Sequence, residues 1–212
     1  MKCYSIKEEN TLSFVMDRLD TILINSPVKR FGQRFFEFPI LNNFLKAEKI
    51  DLRNKVILDA GCGAGHGMEI IHKFYSPSEL YAFDVLPNEV ALAQKKNIPA
   101  KVFLGNILNT NLPDEKFDAI FVFEVLHHVP KWREALIELN RIMKPGGALL
   151  VIELSKFGLR FARKFFGLTH PLEASFEWPV FFKGLKDTGF TVKRLRYFVW
   201  QGFGFFLCIK QI

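Results

Sequence analysis

The chain has 212 residues, of which 49% are hydrophobic and 24% charged, so its composition favours one globular domain and excludes a disordered chain. The first residues carry no apolar run like that of a signal peptide, and no stretch approaches the roughly 20 apolar residues that cross a bilayer. We therefore expect a cytoplasmic protein, either free or peripheral to a membrane. Cys3, Cys62 and Cys208 are isolated and have neither the spacing of a metal site nor that of a disulfide framework.

The net charge of +7 comes entirely from the C-terminal part of the chain. Residues 155–212 hold 10 of the 29 basic residues, 3 of the 22 acidic residues and 12 of the 24 phenylalanines. This composition fits a surface that meets an anionic or apolar partner. It fits equally well a solvated basic surface over a core rich in phenylalanine, and the sequence leaves both interpretations open.

Short apolar runs alternate with helical patterns from residue 55 to residue 154. The predicted strands are 55–62, 80–85, 100–106, 117–125 and 148–154. The predicted helices between them are 65–75, 87–97 and 131–147. Continuous apolar strands separated by helices are typical of a parallel sheet covered on both faces, and such a sheet binds ligands beyond the carboxyl ends of its strands.

A glycine-rich turn, "VILDAGCGAGHG" at residues 56–67, joins the first strand to the first of these helices. Glycine lets the main chain approach a ligand closely, and the N-terminus of the helix presents free N–H groups. The nicotinamide fingerprint G-x-G-x-x-G fails because His66 stands where its third glycine would fall, and no Lys-Ser/Thr pair follows to make a P-loop. Gly65 and Gly67 either serve the ligand or only ease helix–sheet packing.

Two carboxylates lie at the ends of the first two strands. Asp59 ends the first strand, where a negative charge repels a pyrophosphate and suits a cation. Asp84 ends the second strand, 19 residues after Gly65, where an acid can accept hydrogen bonds from both hydroxyls of a ribose. Together they predict a ligand that carries a ribose and an ammonium group but no phosphate, a description that S-adenosylmethionine fits.

Four blocks of sequence carry a family resemblance: "VILDAGCGAGHG", "LYAFDVLP", "GNILNTNLPDEKFDAIFVFEVLHHV" and "REALIELNRIMKPGGALLVIE". The chain resembles class I S-adenosylmethionine-dependent methyltransferases, most closely the small-molecule group that includes those of ubiquinone and menaquinone biosynthesis. The resemblance implies a Rossmann-like, doubly wound, mostly parallel seven-stranded sheet with an antiparallel last strand. It implies a single domain with a helical cap (1–50), a cofactor-binding core (51–154) and a basic, Phe-rich lid followed by the last two strands (155–212).

The resemblance also assigns residues to the donor. These residues are Asp59, Gly61, Cys62, Gly63, Asp84, Val85, Leu86, Asn106, Ile107, Phe123 and Glu124. It places Asp59 near the ammonium group, the glycines beside the methionine part and Asp84 on the ribose. Asn106 stands where the family often has Asp, and its amide oxygen can still accept an N–H of the adenine amino group.

Other assignments depend on the resemblance alone. Val85, Leu86 and Ile107 would pack on the adenine, although residues at such positions belong to the core in any parallel sheet. Phe123 and Glu124 would face the methionine part and the point of methyl transfer.

Methyl transfer from a sulfonium is an in-line displacement with a neutral leaving group, S-adenosylhomocysteine, so alignment and exclusion of water supply most of the rate. A general base is needed only if the acceptor arrives protonated. The candidates for that base are Glu124, His127, His128 and Glu153. The alternative for both histidines is a buried structural role.

Segment 156–168, "KFGLRFARKFFGL", predicts a basic amphipathic helix. Its basic residues share an arc of roughly 100°. They are Lys156, Arg160, Arg163 and Lys164. Phenylalanines 157, 161 and 165 fall on the other side. Such a helix can form a lid over the acceptor, make a peripheral membrane contact, or simply pack on the protein.

The last strands are expected at 191–199 and 203–210, after a helix within 178–190. The polar–apolar alternation of 191–199 suits an antiparallel edge strand.

We therefore expect a methyltransferase that acts on an apolar or aromatic small molecule or a lipid. The basic C-terminal part also permits an RNA or protein acceptor, but the chain has no Asn/Asp-Pro-Pro-aromatic stretch and no added RNA-binding module, which argues against nucleic acid. A non-catalytic cofactor-binding module is the third hypothesis, which the substitution at Asn106 keeps open.

Overall fold

The computed structural model describes residues 36–166, 174–199 and 201–212. The strands are β1 Val56–Ala60, β2 Glu79–Asp84, β3 Lys101–Leu104, β4 Phe117–Phe123, β5 Met143–Leu154, β6 Phe190–Phe198 and β7 Phe203–Lys210. The helices in this part of the chain are α1 Phe38–Ala47, α2 His66–Tyr75, α3 Pro87–Gln94, α4 Trp132–Ile142, α5 Lys156–Phe166 and α6 Trp178–Asp187. A short 3₁₀ turn, Leu126–His128, lies between β4 and α4.

The seven strands form one sheet in the order β3-β2-β1-β4-β5-β7-β6. Strands β1 to β5 are parallel, and β7 runs antiparallel to both β5 and β6. This arrangement confirms the predicted fold class, including the antiparallel last strand and the edge position of segment 191–199. From β1 the chain continues to β2 on one side of β1, and after β3 it crosses to β4 on the other side of β1. The strand order therefore reverses between β1 and β4, and sheets of this kind bind ligands at such a switch point.

Helices cover both faces of the sheet, as neighbouring residues of β1 illustrate. Leu58 belongs to a core cluster that includes apolar residues of α4 and α6. Ile57 points to the opposite face and belongs to a cluster with residues of α1, α2 and α3. Both side chains are fully buried. Burial on both faces explains why the strands are apolar without a break.

The largest error in the predicted boundaries lies between α4 and β5. The expected helix 131–147 ends at Ile142, and β5 already begins at Met143 instead of residue 148. Pro145 cannot continue a helix, and Gly146 has a φ of +74°. The β4–β5 pairing shifts register between Phe117 and Ala119 to accommodate this entry. The helix predicted at 87–97 was also too long and ends at Gln94.

The predicted helical cap is described only in part, since residues 1–35 lie outside the described residues. Helix α1 packs on one face of the sheet, and the ring centroid of Phe38 lies 6.0 Å from that of Phe121 and 5.4 Å from that of Phe123. This contact ties α1 to the carboxyl end of β4. Among the helices in the described ranges, none is long and apolar enough to span a bilayer.

Candidate active site

The glycine turn after β1 lies against the end of β2. The N–H groups of Gly61 and Cys62 both donate to the carbonyl oxygen of Phe83, at 2.9 Å. Gly61 has a φ of +79°, and a Cβ atom on it would lie 2.4 Å from Cγ2 of Val125. Both the backbone conformation and this close approach therefore require glycine.

Asp84 holds the turn and the end of β2 together. Its carboxylate accepts the N–H of Gly63 at 2.8 Å and the N–H of Leu86 at 2.9 Å. Burial raises the pKa of Asp84, and these hydrogen bonds oppose the rise. Each carboxylate oxygen retains a second lone pair, so the group can still accept hydrogen bonds from a ribose.

Asp59 is the most isolated charged group of the site. It is 1% exposed, and neither of its oxygens completes a hydrogen bond with any residue that the structure describes. Burial raises its pKa to about 7, the charge of Asp84 adds to the rise, and the nearby N–H of Met68 opposes it. A buried carboxylate without a partner is costly, and a bound cation removes that cost.

Gly67 allows helix α2 to approach Asp59. A Cβ atom on Gly67 would lie 2.8 Å from Oδ2 of Asp59 and 3.0 Å from the ring of Phe123. Close packing of α2 against the site therefore accounts for this glycine. Of the two roles considered from the sequence, contact with the ligand or helix–sheet packing, this is the second. Gly65 precedes α2 with a φ of +82°, which favours glycine at the start of the helix.

A third carboxylate, Glu89, was not singled out from the sequence. It lies buried in the first turn of α3, and its Oε2 lies 3.7 Å from the position of a Cβ on Gly63. Burial raises the pKa of the Cys62 thiol, and the charges of Asp59, Asp84 and Glu89 add to that rise. An acid is common at this helix position because of the helix dipole, so nothing in the sequence indicates that Glu89 is buried. The three carboxylates favour a cationic ligand over a phosphate.

The residues predicted to contact the adenine differ in exposure. Val85 is 37% exposed at the end of β2, so the alternative that it is a core residue does not hold. Ile107 is buried and joins the core cluster that includes α4 residues. Oδ1 of Asn106 accepts the N–H of Leu108 at 3.0 Å, an Asx turn that the sequence did not reveal. One lone pair of that oxygen is thus already used.

The end of β4 has an unusual backbone. Glu124 adopts a φ of +58°, which costs a residue with a side chain roughly 1–2 kcal/mol, and its N–H donates to the carbonyl of Ile152 at 2.7 Å. Residues held in this conformation cluster at functional sites. Phe123 and Glu124 are both half-buried, at the same edge of the sheet as the ends of β1 and β2.

Glu153 anchors the loop that follows. It is 0% exposed, and its Oε1 accepts the N–H groups of Val125 at 2.8 Å and Leu126 at 2.5 Å. Its Oε2 lies 2.6 Å from Nδ1 of the buried His127. Burial raises the pKa of Glu153 to about 8, and the charge of Glu124 contributes. These contacts fix the loop between β4 and α4.

The four candidates for a general base therefore differ in access. Glu124 is half-buried, whereas Glu153, His127 and His128 are buried, and the two imidazole rings lie 4.1 Å apart between centroids. Burial favours Glu124 as the group that faces an acceptor and a structural role for Glu153 with His127. Catalytic roles for Glu124, His127 and His128 stay predictions.

The strand ends thus bring the predicted donor residues together, and these residues fit the donor. The carboxylate of Asp59, which lacks a hydrogen-bond partner within the described part of the chain, offers a counter-charge to an ammonium group. The turn from Gly61 to Gly63, which together with Asp59 and Asp84 we call the donor cradle, leaves room at Gly63, where a Cβ atom would meet only Oε2 of Glu89, at 3.7 Å.

Comparison with known proteins shows a similarity to methyltransferases. Residues 58–151 match the sequence profile of the family described as "Methyltransferase domain". The phthiotriol/phenolphthiotriol dimycocerosates methyltransferase 1 of Mycobacterium ulcerans (strain Agy99) is 30% identical over 110 residues, 51% of this chain and 41% of that protein. The fatty-acid O-methyltransferase of Mycolicibacterium smegmatis (strain ATCC 700084 / mc(2)155) is 28% identical over 106 residues, 49% of this chain and 39% of that protein. The matches therefore span less than half the length of either relative.

Among solved structures, a SAM-dependent methyltransferase from Aquifex aeolicus superposes with a TM-score of 0.71. The two chains are 22% identical, and the superposition covers 93% of this chain and 100% of the other. At this identity the likeness shows the fold. The profile match and the relatives confirm the predicted resemblance to methyltransferases.

Proposed function

We propose that this chain, an S-adenosylmethionine-dependent methyltransferase of class I fold, transfers a methyl group to an oxygen, nitrogen or carbon atom of an apolar small molecule or lipid. The observation that carries the donor assignment is Asp59, a buried carboxylate whose oxygens have no hydrogen-bond partner among the described residues and whose pKa is raised by burial and by the charge of Asp84. The donor cradle carries carboxylates and therefore suits a ligand with a sulfonium and an ammonium group. It disfavours a dinucleotide, whose pyrophosphate it would repel.

Each part of the cradle has a distinct role toward the donor. Asp59 pairs with the ammonium group, and the turn from Gly61 to Gly63 lets the main chain lie against the methionine part. Asp84 accepts hydrogen bonds from the ribose hydroxyls while it holds Gly63 in place. The exposed Val85 covers one face of the adenine, and the remaining lone pair of Asn106 Oδ1 is left for the adenine amino group.

When bound, the donor supplies a methyl group on a positively charged sulfur. The bond from that carbon to sulfur breaks as the bond to the acceptor atom forms, and the acceptor loses its proton to a base or to water. This chain aligns the two partners: Phe123 and Glu124 lie at the end of β4, and Glu153 with His127 keeps that loop in its conformation. Glu124 is the best placed to receive the proton.

The acceptor class is supported by two independent observations. The relatives described above are named for lipid acceptors, phthiotriol dimycocerosates and fatty acids. In this chain an exposed phenylalanine, Phe157, stands beside basic side chains immediately after β5. An apolar acceptor can bury such a surface, whereas an RNA acceptor would need a larger basic groove.

A two-part experiment tests the proposal. Calorimetric titration with S-adenosylmethionine should give a saturable signal, and Asp84→Asn should weaken binding by about 100-fold because it removes charge-assisted hydrogen bonds. Asp51→Asn, at an exposed carboxylate that binds Arg53, is the matched control and should bind like the unmodified chain. Incubation of the unmodified chain with a methyl-labelled donor and cell extract should then place the label in the organic-solvent-soluble fraction.

Each contrary outcome removes a different part of the proposal. Absence of binding by the unmodified chain refutes the donor assignment. Binding without any labelled product refutes the enzyme and favours the non-catalytic module. Label found in RNA or protein, and not in lipid, refutes the acceptor class.

A further inference from the structure

We propose that helix α5 and the turn between β6 and β7 together form a docking surface for an anionic lipid bilayer. The inference rests on the proposed function, because it names the place from which an apolar acceptor would be collected. The docking surface consists of Phe157, Arg160, Arg163, Lys164, Arg196, Phe198 and Val199. It extends the membrane contact predicted for segment 156–168 with a second element that the sequence did not suggest.

Helix α5 turns one side to the protein and the other to solvent. Gly158, Leu159 and Ala162 are buried. Arg160 and Arg163 are exposed, as is Lys164, and Phe157 is 46% exposed. The helical pattern predicted that Phe157 lies on the apolar side, away from the basic residues. In the structure it lies instead on the exposed, basic side of the helix. An aromatic ring next to three cations is the composition of helices that lie at a lipid interface.

The first turn of α5 is fixed to the β6–β7 turn by very close contacts. A Cβ atom on Gly158 would lie 2.2 Å from the carbonyl oxygen of Gly202, so only glycine permits this approach. The N–H of Ser155 donates to that same oxygen at 3.0 Å, and its hydroxyl donates to the carbonyl of Gln201 at 3.2 Å. The helix and the turn thus present a single surface.

The β6–β7 turn adds exposed apolar groups to that surface. Val199 is 58% exposed with a φ of +48°, and Phe198 is 38% exposed. The guanidinium carbon of Arg196 lies 4.9 Å from the centroid of the Phe198 ring. Arginine stacked on an exposed aromatic residue suits the boundary between lipid headgroups and acyl chains.

The docking surface lies at the same edge of the sheet as the donor cradle. Leu154, the last residue of β5, pairs with Phe203, the first residue of β7, so α5 and the β6–β7 turn both flank the carboxyl end of β5. The ends of β1, β2 and β4 lie at that same edge. A bilayer that touched the surface would therefore face the side from which an acceptor enters.

Charge identifies the partner. Residues 155–212 account for the whole net charge of +7, so this part of the chain is drawn to anionic headgroups. Exposed Val199 and Phe157 gain from contact with acyl chains, whereas RNA offers aliphatic side chains no comparable partner. A bilayer that contains anionic lipid accounts for both the cations and the apolar groups.

Vesicle flotation with the full chain tests the inference. We expect binding to vesicles of phosphatidylcholine and phosphatidylglycerol in a ratio of roughly 3:1 and little binding to vesicles of pure phosphatidylcholine. The double variant R160E/R163E should reduce binding to the anionic vesicles by at least about tenfold. The matched control K183E/K186E makes the same charge change on exposed lysines of α6 and should reduce binding by less than about twofold.

The apolar half of the surface has its own variant. Val199→Asp should reduce vesicle binding about fivefold, whereas Leu92→Asp, at an exposed leucine of α3, should leave it unchanged. Thermal melting of each variant verifies that it is folded.

Three outcomes would overturn the inference. They are absence of binding to anionic vesicles, equal losses in R160E/R163E and K183E/K186E, and tighter retention on single-stranded RNA than on vesicles at the same ionic strength. Donor titration of the same variants separates the two proposals. If vesicle binding is lost and donor binding is intact, the donor assignment of the proposed function still stands. If donor binding is lost and vesicle binding is intact, the docking surface still stands.

Discussion

The donor cradle and the docking surface lie at one edge of the sheet but are built in opposite ways. The donor cradle depends on groups in fixed positions, namely the buried Asp59 and Asp84 and the half-buried Gly61, which lies against Val125. The docking surface depends on exposed side chains whose charges add together. Fixed buried contacts make a site sensitive to single atoms, whereas a sum of exposed charges responds gradually to substitution. The following predictions test this contrast.

The largest effect is expected at Gly61, with Gly146 as its matched control. Both have a positive φ, +79° and +74°, but a Cβ on Gly61 would lie 2.4 Å from Val125 Cγ2, whereas one on Gly146 would meet no atom within 4 Å. Gly146→Ala should cost about 1 kcal/mol of unfolding free energy through its backbone alone. Gly61→Ala should cost about 3 kcal/mol and abolish donor binding.

Urea unfolding and calorimetry measure both quantities. Equal losses of stability in the two variants would show that the contact with Val125 yields freely, and the cradle would then be less rigid than we describe.

Glu153 comes next, because it accepts hydrogen bonds from two backbone N–H groups, one of them buried. Glu153→Leu leaves those of Val125 and Leu126 without an acceptor and should lower the unfolding free energy by about 2–3 kcal/mol. Glu153→Gln keeps an accepting oxygen and should cost less than about 1 kcal/mol. Chemical denaturation of the two variants checks the difference. If Gln were as harmful as Leu, the charge of Glu153, and not its hydrogen bonds, would hold the loop.

Asp59 should make donor binding depend on pH. Its pKa of about 7 in the free protein means that the carboxylate must lose a proton to pair with an ammonium group. Donor affinity should therefore rise about tenfold between pH 6 and pH 8, with a proton released on binding. Calorimetry in buffers of different ionisation enthalpy measures that proton. Asp59→Asn should bind weakly with a flat profile, and a flat profile in the unmodified chain would contradict the assignment.

The same group affects stability without ligand. The folded pKa of Asp59 is raised above its ordinary value of 3.8, so the folded state holds the proton more tightly than the unfolded state does. This contribution to stability is complete below about pH 4 and is lost as the pH rises through about 7. Unfolding of the free protein at several pH values should follow this direction, and Asp59→Asn should remove that part of the pH dependence.

The smallest effect is expected on the docking surface. R160E/R163E should change the unfolding free energy by less than about 0.5 kcal/mol, because both side chains are exposed. Thermal denaturation in the absence of vesicles checks this. A loss of more than 1 kcal/mol would mean that α5 depends on these charges for its packing, and the contrast between the two regions would fail.

The carboxylates of the donor cradle could be predicted from the sequence, whereas the buried contacts around them could not. Asp59 and Asp84 were recognisable because a parallel sheet brings the carboxyl ends of its strands to one edge, so position along the chain was enough. The contact of Glu153 with Val125 and the burial of Glu89 depend on segments that are distant in the chain, and no local pattern encodes them. The early start of β5 at Met143 was missed because Lys-Pro-Gly-Gly marks the end of a helix equally well before a loop or a strand.

The position of β6 at the border of the sheet has a consequence for solubility. This strand is nine residues long, and among the described strands it pairs only with β7. A long flat border can recruit strands of other molecules, and inserted charge or a bulge prevents this. In β6 a register shift between Val192 and Arg194 interrupts the ladder, and Lys193, Arg194 and Arg196 are exposed along it. Its cations therefore also guard newly made chains against aggregation through strand pairing.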